Sequence, residues 1–448
     1  MRRLLSIVAA LAVAASPAAA APKVCAACVK ANMAKLAAPE MRGRACGTED
    51  ENAAARFVAD QLKAYGVRGA GEGGGYLQPV QFRRPSYAAP PTLRVGSATF
   101  GQGKGIVVLT AVAPIEAPVV LVGLADPAAA SGKVAVYDAP FDPRAVTAFF
   151  GGGAAAVVVR APDQMLRAWT QLAERGPQGV QVLGVDANPA APSSRLVIYA
   201  TADTITALRS LEGQVARIDA SLGEPVTRTT YNVLGVVHGT LPDADRQTIL
   251  LSAHYDHVGV KGGVIYPGAN DDASGVAAVL EFARILAAGK APKRTVNFAL
   301  FGCEEEGGHG AKYFLAHPST PLADMVVNLE FEMIGVPDPK DRRRLMLTGW
   351  ERSNLGPILK EQGASIGPDN YPEENFFQRS DNIQLARKGV VAQTISAWPV
   401  PPTYHQPSDD LAHVDLTFMT EVIQSLVAPV RWLANGEFRP VWNPGMQP

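Results

Sequence analysis

Two rhythms of apolar residues alternate through the second half of the chain. Ile249-Leu250-Leu251 is an unbroken apolar run, the pattern of a strand buried on both faces, and it leads into Ala253-His254-Tyr255-Asp256-His257. A polar block, Gly268-Ala269-Asn270-Asp271-Asp272-Ala273-Ser274-Gly275, then opens a segment in which Val276, Val279, Leu280, Ala283 and Leu286 recur at helical spacing, with Gly289 as the stop. Residues 295–301 form a second β-type run and deliver Gly302-Cys303-Glu304-Glu305-Glu306. Residues 325–329 form a third, ending in Glu330-Phe331-Glu332-Met333-Ile334-Gly335, and an apolar stripe over 416–433 predicts a closing helix. Nearer the start, Thr48 and Glu51 have the spacing of a capping box, followed by a helix with Phe57, Val58, Leu62 and Tyr65 on one face and Gly66 closing it. Strand, loop, helix and strand in this order predict an α/β fold. Its polar groups fall where strands end and helices begin, which is where open α/β sheets hold their ligands.

Between about Ile106 and Leu211 the texture changes to short β-rich runs separated by Pro and Gly turns, with one small-residue helix over 143–150. No histidine and no acidic cluster falls in this stretch, so it carries no chemistry of its own. It reads as an inserted module over 106–215, dividing a main domain into 22–105 and 216–448.

Composition narrows the setting. The chain has 448 residues, a formal charge of −1 and 19% charged residues, which gives no support to a nucleic-acid or membrane-surface partner. Residues 1–21 read as a secretory leader, with Arg2 and Arg3, an apolar core over 4–15 and a small-residue cleavage region over 16–20. The expectation is an exported protein, periplasmic or extracellular, with no transmembrane segment once the leader is removed. One disulfide is expected among Cys25, Cys28 and Cys46, and Cys303 is expected to be a buried free thiol.

Clustered His, Asp and Glu suit zinc, which takes imidazole nitrogen and carboxylate oxygen. His254-Tyr255-Asp256, Gly268 to Gly275, Glu304-Glu305, the acidic residue before Met333-Ile334-Gly335, and Tyr404-His405 together resemble the zinc-dependent exopeptidases of the M28 peptidase family. The resemblance implies a three-layer α/β/α zinc-exopeptidase fold around a mixed, mostly parallel sheet. It also implies that the 106–215 stretch is a smaller β-rich insertion of the protease-associated type, acting as a lid or gate. Met41-Arg42-Gly43-Arg44 fits the opening of the same domain, with Arg44 tying down a loop.

The resemblance further implies two zinc ions and a peptide substrate, and no oligomeric state. Asp271 would bridge the ions; His254 and Glu332 would hold one, Glu305 and His405 the other. Glu304 would take a proton from the water shared by the ions and pass it to the leaving amine, making the chain most like an aminopeptidase. Asp256, two residues past His254 on the same side of an extended chain, would fix that histidine's tautomer, and Asp409 would do so for His405. Tyr404 would donate a hydrogen bond to the tetrahedral intermediate. Asp272 and Glu306 are the fallbacks for bridge and ligand. His238, His257, His309, His317 and His413 are expected to be structural or surface residues, and Met333, Phe376, Phe377 and Trp398 to wall an apolar pocket. Three departures stand out: Glu332 where many members carry Asp, Cys303 beside the base, and Asn382 where a His is common. Two other readings are a glutaminyl-cyclase-like acyltransferase with a single zinc and a non-catalytic binding ectodomain.

Overall fold

The computed structural model describes residues 22–186 and 195–448; the leader expected over 1–21 lies outside the described residues. The main domain is built on one sheet. Its labelled strands are β1 (Leu77–Arg84), β2 (Val226–Val237), β3 (Thr248–His254), β4 (Val296–Phe301), β5 (Met325–Phe331) and β6 (Ala392–Ser396). They lie in the order β6-β5-β3-β4-β2-β1, with Leu345–Leu347 and Ile366–Gly367 beyond β6 and Gln181–Val182 beyond β1. The sheet is mixed as expected, parallel at its centre, where β6, β5, β3 and β4 run the same way, and again at the edge between Leu345–Leu347 and Ile366–Gly367. Towards β2 and β1 the pairing is antiparallel.

Alternation along the central strands explains their unbroken apolar runs. Ile249, Leu251, Val296, Phe298 and Leu300 face one layer, while Leu250, Ala299 and Phe301 face the other. The first layer holds α1 (Ala26–Leu36), α2 (Glu49–Ala64), α3 (Ser274–Ala288) and α6 (Leu416–Asn435). The second holds α4 (His309–Ala316) and α5 (Asn382–Ala386). With helices on both faces the strands have no water side, so they carry no polar alternation. Thr48 caps α2 as expected, accepting from the Glu51 amide at 3.3 Å. The Glu51 carboxylate does not return to Thr48. It accepts instead from the Gly47 amide, the Thr230 hydroxyl and the Cys303 amide.

The chain leaves the main sheet after β1 and returns with β2, and between them it forms a closed barrel. This module begins at Thr92–Val95 and ends at Val215–Ala220, so the boundaries drawn at 106 and 215 fall inside it. Leu93 and Val95 are fully buried and pair with both Ala98–Gln102 and Val215–Ala220, which makes them barrel wall. Short strands either side of the tight Gly96 turn hid that wall in the sequence. From the same stretch, Gln181–Val182 pairs with β1 and ties the module to the main sheet.

Two disulfides cross-link the chain. Cys25–Cys28 lies at the start of α1, as one of the expected pairings. Cys46 bonds to Cys303, so Cys303 is not a free thiol. The pair is separated by 257 residues, and no local spacing announces it.

Candidate metal centre

Three neighbouring parallel strands end at one place. β3 delivers His254 as its last residue, β4 is followed by Glu304 and Glu305, and β5 is followed by Glu332. The loop 268–273, leading into α3, brings Asp271, and the loop after β6 brings His405.

Asp271 stands between two groups of potential ligands. One comprises His257, Asp271, Glu305 and His405, the other His254, Asp271 and Glu332; within each group the ligand atoms lie within 4.8 Å of one another. Asp271 Oδ1 is 3.3 Å from His254 Nε2, and its Oδ2 is 3.2 Å from His405 Nε2 and 3.8 Å from His257 Nδ1. Glu305 reaches His257 Nδ1 at 2.9 Å and His405 Nε2 at 3.0 Å. The structure thus brings together the residues singled out as ligands and adds His257, which the sequence reading assigned to scaffold. The His257 amide donates to the Arg44 carbonyl and its residue bridges Ala45, which turns the chain after β3 back into the site.

The donor set fits a zinc pair. Both ring nitrogens of His254 and His257, and Glu305 Oε1, are buried without a hydrogen-bond partner, although carboxylate oxygens lie close by. Buried polar atoms in proteins are almost always satisfied. These converge without hydrogen-bond alignment, as ligands of a shared cation do. Imidazole and carboxylate together are a zinc donor set.

Electrostatics agree. Burial lowers the His254 imidazole, yet Asp256 and Asp271 outweigh it and hold the ring well above the usual histidine range. Burial likewise opposes ionisation of Asp271, but His254 and His405 hold it well below the usual carboxylate range. Glu305 is held down to about 2 by His257 and His405 against burial and Asp271. Glu332 is pushed up to about 7, chiefly by burial, with His254 opposing. Burial drives Glu304 well above its usual value, with Asp381, Glu332 and Glu305 adding to it and His254 opposing. The carboxylates outnumber the imidazoles, and a dication supplies the missing positive charge.

The second layer departs from expectation. Asp256 Oδ1 stands 3.6 Å from His254 Nδ1, beyond hydrogen-bond length, and the Asp256 carboxylate accepts from the amides of Glu304 and Glu305 at 2.9 and 3.2 Å. It therefore orients the turn that carries the two glutamates. Asp409 does not serve His405. Its carboxylate accepts from the amides of Asn270 and Asp271 at 2.8 and 3.1 Å, fixing the loop that presents the shared aspartate. Asp272, the fallback bridge, points elsewhere, accepting from the amides of Gly275 and Met333, and the Asp271–Asp272 peptide bond is cis. Glu306 pairs with Arg84 and joins neither ligand group. Arg44 is fully buried and donates to the carbonyls of Leu36, Tyr255, Pro267 and Gly268, the loop-tying role expected of it. Asn382 donates to the carbonyls of Phe377 and Ala392 and is scaffold.

Tyr404 stacks on His405 with ring centroids 4.0 Å apart. Burial, with Asp271, Glu305 and Glu332 nearby, raises its phenol far above the usual range, so it remains an O–H donor. It lines a recess with Glu332, Met333, Phe376, Pro399 and Arg379. Phe377 and Trp398 do not line that recess; Phe377 packs against Trp442 in the second layer.

Residues 232–429 match the model of Peptidase family M28. A vacuolar membrane protease of Candida tropicalis is 41% identical over 207 residues, 46% of this chain and 21% of that protein. Aminopeptidase YwaD of Bacillus subtilis is 26% identical over 224 residues, 48% of this chain and 47% of that one. The chain thus spans about a fifth to about a half of these relatives' lengths. Among solved structures, an aminopeptidase from Aneurinibacillus sp. strain AM-1 superposes with a TM-score of 0.64 at 23% identity, over 94% of this chain and 97% of that one. BSAP, a zinc aminopeptidase from Bacillus subtilis, gives 0.60 at 19% identity, over 92% and 96%. These likenesses establish the α/β fold.

Proposed function

We propose that this chain, whose residues 232–429 match the model of Peptidase family M28, is a zinc metallopeptidase of that family, an aminopeptidase that removes N-terminal residues from peptides. The observation that carries this reading is the sharing of Asp271 by two ligand groups, with both ring nitrogens of His254 and His257 buried and without a hydrogen-bond partner. Asp271, His257, Glu305 and His405 would hold one zinc, and Asp271, His254 and Glu332 the other. Such a pair supplies Lewis-acid polarisation of the scissile carbonyl and lowers the pKa of the attacking water.

The chain's own groups do the rest. Glu304 joins neither group but feels the charges of His254, Glu332 and Glu305, and it takes the proton of the attacking water and returns it to the leaving amine. Asp256 holds its backbone amide, so the base keeps its aim. Tyr404 donates its hydroxyl to the developing oxyanion. Met333 and Phe376 contact the side chain of the residue removed. Two disulfides support an exported protein in an oxidising compartment. No helix among the described residues is long and apolar enough to cross a membrane.

The test is a pair of variants assayed for zinc content and peptide cleavage. Glu304→Ala keeps its zinc and loses turnover by roughly 10²–10⁴-fold, whereas Asp271→Ala loses zinc and activity together. Full activity in either variant overturns the mechanism. Turnover of a glutaminyl peptide to its cyclised product, with one zinc per chain, would favour the acyltransferase reading. Absence of cleavage across fluorogenic amino-acid amides would favour the non-catalytic ectodomain.

A further inference from the structure

Each ligand group borders its own recess. The one beside Glu332 is partly apolar, as described; the one beside His257, Glu305 and His405 is different in kind. It is lined by Arg84 from β1, Glu174 and Arg175 from the barrel module, Lys261 from the loop after β3, and Glu306. One ion pair among the described residues joins members of this rim, between Arg84 and Glu306. Among the described residues, neither Arg175 nor Lys261 has a carboxylate within ion-pair distance, and the Lys261 ammonium lies 5.2 Å from the Tyr266 ring centroid. Arg84 Nε is buried without a hydrogen-bond acceptor. Burial, Arg228 and Arg175 together lower the Arg84 pKa to about 10, a sign of cations crowding one another.

Unpaired cations beside a hydrolytic centre select anionic substrates. A peptide laid across both ligand groups, with its first side chain against Met333 and Phe376, sends the residue after the scissile bond into this second recess. One residue of extended chain covers roughly 3.5 Å, so the group met there belongs to the first residue past the cut. We propose that the recess formed by Arg84, Arg175 and Lys261 binds a carboxylate on the leaving side of the substrate. That carboxylate is either the free C-terminus of a dipeptide or the side chain of an Asp or Glu. The inference rests on the peptidase reading and adds a substrate class to it.

Two matched pairs of substrates separate the sources. Leu-Ala against Leu-Ala-amide tests the main-chain carboxylate, and Leu-Glu-amide against Leu-Gln-amide tests the side chain. In the zinc-loaded full chain at least one pair favours the anion by about tenfold in kcat/KM, the size of one charge-assisted contact. The preference shrinks between 50 and 500 mM salt, roughly as ionic screening requires. In Arg175→Gln/Lys261→Gln the favoured ratio falls to about one. Ratios near one for both pairs in the unaltered protein overturn the proposal, and a ratio unchanged in the double variant overturns the assignment to these side chains. If no peptide is cleaved, the peptidase reading fails, and calorimetric titration decides the recess by itself. Tighter binding of Leu-Ala than of Leu-Ala-amide, or of Leu-Glu-amide than of Leu-Gln-amide, supports it, whereas equal binding within both pairs overturns it.

Discussion

His257 shows what a single side chain can hide. It follows Asp256 directly, and on an extended strand it would point to the opposite side from His254 and Asp256's partner positions. The strand ends at His254, and the hydrogen bond from the His257 amide to the Arg44 carbonyl turns the ring towards Glu305. On the proposed two-zinc reading, His257→Ala should therefore reduce bound zinc from two ions per chain to about one, measured by elemental analysis, while His413→Ala leaves it unchanged. His254, Asp271, Glu305 and Glu332 were legible because each sits near a strand end or helix start, where polar residues interrupt an apolar pattern, whereas His405 lies in a loop and was legible only through the Tyr404-His405 pair of the family resemblance. His257 lacked such a signal, since the bond that turns it comes from residue 44. The same distance explains Asp409 and Asp256: their partners are backbone amides, which leave no mark in a sequence.

Elements explain what residues alone do not. The segment 43–51 lies far ahead of the ligands in the sequence, yet it touches the site three times: the Arg44 guanidinium on the carbonyls of 255, 267 and 268, the Cys46 disulfide, and the Glu51 carboxylate on the Cys303 amide. The Cys46–Cys303 bond closes a long loop and Cys25–Cys28 a very short one, so their contributions differ. Cys46→Ser/Cys303→Ser should cost about 2–4 kcal/mol in urea unfolding, and Cys25→Ser/Cys28→Ser well under half of that. A second element effect lies at α4, whose first residue is His309. Burial, with Lys312, Arg84 and Arg175, lowers its pKa to about 4, and the positive end of the helix works in the same direction. The folded chain keeps this ring neutral while the unfolded chain protonates it near 6.5, so its contribution is complete above about 6.5 and is lost as pH falls towards 4. Urea midpoints at pH 7 and pH 4.5 should differ less in His309→Gln than in the unaltered protein.

At the scale of the whole molecule, the layered sheet was readable from periodicity and the barrel only from texture. Long buried strands and an amphipathic helix announce themselves. Four-residue strands such as Thr92–Val95 do not, and their membership is settled by pairing with Val215–Ala220, far along the chain. The strand ends meet at a crowded set of imidazoles and carboxylates, so a metal bound there would be coupled to the fold. A ligand that binds only the folded state stabilises it by about 4 kcal/mol at a thousandfold excess over Kd. Stripping zinc with a chelator should lower Tm by roughly 5 °C or more, and returning zinc should restore it.

The barrel hangs between paired neighbours: Arg84, the last residue of β1, lies opposite Val226, the first of β2. Everything from 85 to 225 is thus spliced into the tip of a hairpin, and no candidate ligand, nor Glu304, falls inside the splice. Cut at that seam, the molecule would divide into a machine that breaks bonds and an attachment that contributes Arg175 to the choice of which bonds to break.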